Sequence, residues 1–156
     1  MPLQKDLQEF IASLNSHAVE FVVVGGHAVA FHGHPRFTGD IDLLVRSTPE
    51  NAQRVMRALH AFGFVSPDLS ANDFLRPDMV VQLGLPPNRI DLLTGITGVS
   101  FEEAWAGRKA GDLGGLSVHF LGYESLLRNK EATGRSQDAE DVARLRAIAA
   151  RKRKST

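Results

Sequence analysis

The sequence predicts a mixed α/β domain, a small mixed β-sheet flanked by helices and finished by C-terminal helices. Two patterns carry this. Short apolar runs such as Phe21-Val22-Val23-Val24 stop abruptly at glycine or proline, as buried strands do. Between them, apolar residues recur every three or four positions, the spacing of one helix face. The size agrees: 156 residues, 43% hydrophobic and 23% charged, suffice for one well-cored domain and do not fit a disordered chain. Residues 1–150 read as that single domain, and 151–156 as a basic, solvated, disordered tail.

Taken in order, Leu3, Leu7, Phe10, Ile11 and Leu14 line a first helix, broken at Asn15 and Ser16. The strand ending at Val24 meets Gly25-Gly26, and a short helix carrying Ala28, Val29 and Phe31 follows. Ile41 to Val45 is a second strand, and Pro49 marks the start of a helix running to about Gly63. Met79 to Leu83 and Arg89 to Leu93 read as a hairpin around Pro86-Pro87-Asn88. A short helix near Phe101 to Ala106, a turn at Gly114-Gly115 and a strand from Ser117 to Leu121 come next. Helices at about 123–132 and 137–149 close the fold. No internal repeat or linker divides the chain.

Composition removes several classes of function. With no cysteine, disulfides, thiolate zinc sites and cysteine nucleophiles are excluded. Eighteen basic and eighteen acidic residues cancel, but four of the basic ones fall in the last six positions. Residues 1–150 therefore carry 14 basic against 18 acidic side chains, a slightly acidic body unlike a nucleic-acid coat protein. No apolar run approaches a membrane span, and Lys5, Asp6 and Glu9 stand where a secretion signal needs apolar residues, so the expected location is cytoplasmic.

The chemistry concentrates in Gly25-Gly26 and in Arg36-Phe37-Thr38-Gly39-Asp40-Ile41-Asp42. Residues two apart on a strand share a face, so Asp40 and Asp42 project together while Ile41, Leu43 and Val45 enter the opposite layer. Two adjacent carboxylates repel and need a counter-charge, and oxygen-only ligands favour magnesium or manganese. Chance alone supplies about two such acid pairs in this chain, so the apolar strand around this one is the informative part. Asp91, in Arg89-Ile90-Asp91-Leu92-Leu93, adds a third carboxylate if its strand neighbours that of Asp40, although Arg89 is also a ready ion partner. Glycines at a strand-to-helix junction let backbone amides approach a phosphate chain. Together these features suggest phosphoryl transfer by positioning and charge neutralisation.

Gly-Gly after the first strand, Arg-x-Thr-x-Asp-Ile-Asp and a later strand aspartate resemble the DNA polymerase beta-like nucleotidyltransferase superfamily, most closely its AbiEii-type and minimal members. The stretch from Lys130 through Gln137-Asp138-Ala139-Glu140-Asp141 is similar to the helical lysine and Asp-x-x-Asp segment of those proteins. The resemblance covers residues 20–145. It implies the nucleotidyltransferase fold and transfer of a nucleoside monophosphate from a nucleoside triphosphate to an acceptor hydroxyl, with Mg2+ or Mn2+ and release of pyrophosphate. It implies Asp40 and Asp42 as metal ligands, and Asp91 as base or third ligand. Gly25, Gly26, Arg36, Thr38 and Lys130 would meet the nucleotide and its phosphates. The acceptor could be tRNA, a protein or a small molecule such as an antibiotic, and a toxin–antitoxin pairing with a cognate chain is in keeping with the minimal members. Two departures stand out: Gly25-Gly26 replaces a common Gly-Ser, and the acceptor-holding domain of longer members has no counterpart here. A non-catalytic module binding a nucleotide or a partner protein is the alternative.

Asp138 and Asp141 are three apart on one helix face and read as support for Lys130. His27, His32 and His34 match no helical metal spacing and read as polar contacts to the loop or the nucleotide.

Overall fold

The computed structural model describes residues 5–34, 39–84 and 89–155. The elements run α1 (Lys5–Ser16), β1 (Phe21–Val24), α2 (Gly25–Phe31), β2 (Asp40–Val45), α3 (Pro49–Phe62), a 3₁₀ turn (Ala71–Leu75), β3 (Val80–Leu83) and β4 (Arg89–Leu93). They continue with α4 (Phe101–Ala106), β5 (Lys109–Leu113), β6 (Leu116–Phe120), α5 (Tyr123–Thr133) and α6 (Ser136–Ser155). The expected α/β architecture is present. One six-stranded mixed sheet has the order β3-β4-β2-β1-β6-β5. The pairs β1/β2, β3/β4 and β5/β6 are antiparallel, whereas β1/β6 and β2/β4 are parallel.

Helices cover both faces. On one, Phe10, Ile11 and Leu14 of α1 and Val55 and Leu59 of α3 bury against Val23, Ile41, Leu43, Val45, Leu92 and Phe120. On the other, Ala28 and Val29 of α2, Leu126 of α5, and Val142 and Leu145 of α6 pack with Val22, Val24, Leu44 and Leu121. Each fully buried side chain of this size contributes roughly 1.5–3 kcal/mol. Strand β1 is buried along its whole length, which explains its unbroken Phe-Val-Val-Val. The alternation of β2 is the site-forming feature: Ile41, Leu43 and Val45 belong to the first layer, and Asp40 and Asp42 therefore share the face of Leu44.

Local chemistry sets the boundaries. Thr48 caps α3 by accepting from Asn51 N, Pro49 opens the helix, and Gly63 ends it in the left-handed region at φ 105°. Buried Asn51 accepts from Glu20 N at 2.8 Å and donates to the carbonyls of Glu20 and Arg46, tying β1 and β2 together away from the acids.

One expectation needs correction, and one strand was not read. Residues 151–155 continue α6 and do not form a separate disordered tail. Its alanine-, arginine- and lysine-rich sequence has high helix propensity throughout, which outweighs the charge that suggested a solvated end. The hairpin partner of β6 is β5, whose Lys109-Ala110-Gly111-Asp112 is largely exposed at the sheet edge and so lacks an apolar signature. No described helix is long and apolar enough to cross a membrane.

Candidate active site

The parallel pairing of β2 with β4 brings the sequence-predicted acids together. Asp42 stands in register with Asp91, and Asp40 with Arg89. All four side chains therefore rise from adjacent strands on one face. Strand β1 contributes from the other side, since Val24 is in register with Asp42 and the chain turns into α2 immediately afterwards.

Gly25 shows why that corner is glycine. It adopts φ +67°, and a Cβ built there would stand 2.3 Å from Asp42 Oδ2. Only the missing side chain lets the backbone approach the carboxylate this closely. Gly25→Ala is expected to displace Asp42 and to lower any transfer activity about a hundredfold, the scale of a 1 Å misplacement at a reacting centre. Gly63→Ala is the control: it has φ +105° with nothing within 4 Å, so strain there should reduce thermal stability and leave activity intact. Equal activity in the two variants would show that the Gly25 corner is not part of the site.

The electrostatics are uneven. Burial, then the charge and hydrogen bonding of Asp91 and the charge of Asp40, push Asp42 up to about 6 against a smaller opposing pull from Arg89. Asp91 is buried, and its Oδ1 makes no hydrogen bond. Arg89 Nη2 lies 2.8 Å from Asp40 Oδ2 and 3.3 Å from Asp91 Oδ2, with Nε 3.0 Å from Asp91 Oδ1. Among the described residues, Arg89 thus bridges Asp40 and Asp91, and Asp42 feels both carboxylates. Among the described residues, no three acidic or histidine groups form a ready-made cation cage.

A second cluster joins α5 and α6. The Lys130 ammonium is buried, 3.1 Å from Asp138 Oδ1 and 3.2 Å from Asp141 Oδ2, and both carboxylates are fully buried. Thr133 Oγ1 and Arg135 Nε donate to Asp138 Oδ2 at 2.5 and 2.7 Å. Burial alone would raise the Asp138 pKa, but hydrogen bonds from Arg135, Thr133 and Lys130 hold it well below the usual carboxylate range. Arg135 is mostly exposed and feels the charge of Asp42 as well as those of Asp138 and Asp141. His34 Nε2 lies 3.9 Å from Asp141 Oδ1, connecting the end of α2 to α6. His32 Nε2 sits 2.7 Å from the Leu121 carbonyl, a loop contact.

The structure therefore assembles Asp40, Asp42 and Asp91 beside Gly25, with Gly26 buried in the first turn of α2. It places Lys130 in a carboxylate clasp. Arg36 and Thr38 lie outside the described residues. The pairing of Arg89 with Asp91 was legible in the sequence, whereas its reach across to Asp40 went unread. For Arg89 the signal was present, because an arginine two residues before a strand aspartate shares its face.

Comparisons with known proteins give the family and the fold. The chain belongs to the family described as "Nucleotidyl transferase of unknown function (DUF2204)", whose profile matches residues 3–155. Among solved structures, it is similar to the crystal structure of a "putative nucleotidyltransferase" from Thermotoga maritima, with a TM-score of 0.59 at 19% identity over 88% of each chain. That likeness shows the fold. Among curated proteins no match is found.

Proposed function

We propose that this protein is a metal-dependent nucleotidyltransferase acting from a nucleoside triphosphate on an acceptor hydroxyl. The acceptor oxygen bonds to the α-phosphorus, the bond from that phosphorus to the β-phosphate bridge breaks, and pyrophosphate leaves. Asp91 takes the hydroxyl proton or serves as a third ligand to the cations. Gly25 and Gly26 offer backbone to the phosphates, and Arg36, Thr38 and Lys130 are assigned to the nucleotide side of the site.

The observation that carries the reading is the pairing of Asp42 with Asp91 beneath Gly25. The residues also suit a hard divalent ion such as Mg2+ or Mn2+. The donors are carboxylate oxygens, and one of them, Asp91 Oδ1, is buried without a hydrogen bond. Asp40, Asp42 and Asp91 would hold the ions, which would neutralise phosphate charge and stabilise the leaving pyrophosphate. The family and the fold support nucleotidyl transfer in general.

The test is incubation with labelled nucleoside triphosphates, Mg2+ and acceptors of three classes: tRNA, protein and small hydroxylated molecules including antibiotics. Label should move to one class, and Asp91→Asn should reduce transfer by at least about a thousandfold, as expected for loss of a base or ligand at such a centre. Nucleotide retained without transfer would identify a non-catalytic binding module instead. Toxin–antitoxin function predicts growth arrest when this chain is expressed alone and relief by a cognate partner.

A further inference from the structure

We propose that Arg89 is a resident counter-cation of Asp40 and Asp91, and that a divalent ion enters only as this guanidinium leaves Asp91. The inference rests on the metal-dependent reading above and deepens it. Arg89 and Asp91 are two apart on β4, so both side chains rise on the face of Asp40 and Asp42. From there the guanidinium spans Asp40 and Asp91, with Nη2 at 2.8 Å from Asp40 Oδ2 and Nε at 3.0 Å from Asp91 Oδ1. It takes the space between two of the three prospective ligands.

On the Asp91 side the bridge is incomplete, with one hydrogen bond of 3.3 Å from Nη2 to Oδ2. Strong arginine–carboxylate pairs form two parallel, aligned hydrogen bonds. Here Arg89 Nε and Asp91 Oδ1 are close in distance but misaligned, and both are buried without a hydrogen bond. Buried polar atoms left in this state are penalised by lost hydration, so an ion offering Asp91 Oδ1 a better partner has an advantage over the guanidinium. Arginine stays charged at any working pH, so it must yield by moving. Arg89 is therefore a positioning residue that sets the affinity of the site for its cation.

The experiment measures Mn2+ uptake, by calorimetry and by the electron paramagnetic resonance of free Mn2+, with the metal alone and no nucleotide. Arg89→Met is expected to bind Mn2+ at least about tenfold more tightly than the parent chain. Arg54→Met, which removes a positive charge beside Glu20 on α3, should leave the affinity unchanged within twofold. Arg89→Lys keeps the charge, but its ammonium cannot span both carboxylates, so a gain of about threefold is expected. This variant decides the matter if Arg89→Met does not fold. Unchanged or weaker uptake in the folded Arg89 variants would overturn the proposal and make the arginine a structural clamp. Mn2+ uptake by neither parent nor variants would overturn the metal-dependent reading and this inference together.

Discussion

Asp42→Asn should raise the melting temperature of the metal-free protein at pH 7.5 by about 5–10 °C while abolishing nucleotidyl transfer. The folded-state pKa of Asp42 is raised to about 6, chiefly by burial and by Asp91. The folded chain therefore binds more protons than the unfolded one between about pH 4 and 6, and stability falls as pH rises through that window. Above it, the ionised carboxylate costs about 3 kcal/mol relative to its protonated form. Asparagine removes the charge at nearly constant volume and can donate to Asp91. A gain of 2–3 kcal/mol corresponds to several degrees in a chain of this size. Thermal melts in chelator across pH 4–8 provide the check: the variant's advantage should be absent near pH 4, grow between about pH 4 and 6 and level off above that. Added Mg2+ should then narrow the gap, because only the parent chain gains from binding it. A variant less stable than the parent at pH 7.5 would show that Asp42 is held by contacts that favour its charge.

The second large effect is expected at Lys130. Lys130→Met leaves two fully buried carboxylates, Asp138 and Asp141, without their shared ammonium. Removing one partner of a buried ion pair typically costs about 3–5 kcal/mol. The melting temperature should therefore fall by about 10 °C or more. The loss should shrink if Asp138 and Asp141 are both changed to asparagine as well, because the charge that the ammonium balanced then disappears; this thermodynamic cycle separates charge from packing. A loss below about 1 kcal/mol would mean that the ammonium does not depend on these carboxylates. Nucleotide affinity measured well below the melting temperature tests the separate assignment of Lys130 to the phosphates.

These two residues show how differently parts of the site were legible. Asp42 could be read from seven letters, because two acids within an otherwise apolar strand conflict with its burial unless a cation or chemistry explains them. Lys130 lies on a helix of unremarkable polarity, where a lysine ordinarily faces water. Its burial follows from α6 folding back on α5 and carrying Asp138 and Asp141 to it. Arg89 lies between these cases: the sequence places it on the face of Asp91, yet the bridge to Asp40 needs β2 beside β4.

By itself the sequence determined the α/β class, the strand that carries Asp40 and Asp42, and the glycine corner that follows β1. Those features are written in the two-residue period of strands and in the halting of apolar runs by glycine, both local properties of the chain. The tertiary structure decided the rest. It set Asp91 opposite Asp42 across 48 intervening positions, slid Arg89 between two acids, buried Lys130 and gave the exposed edge strand β5 a partner. Register between distant strands and the folding back of one helix on another are settled by which apolar faces can be buried together, a condition on the whole chain that no local window contains.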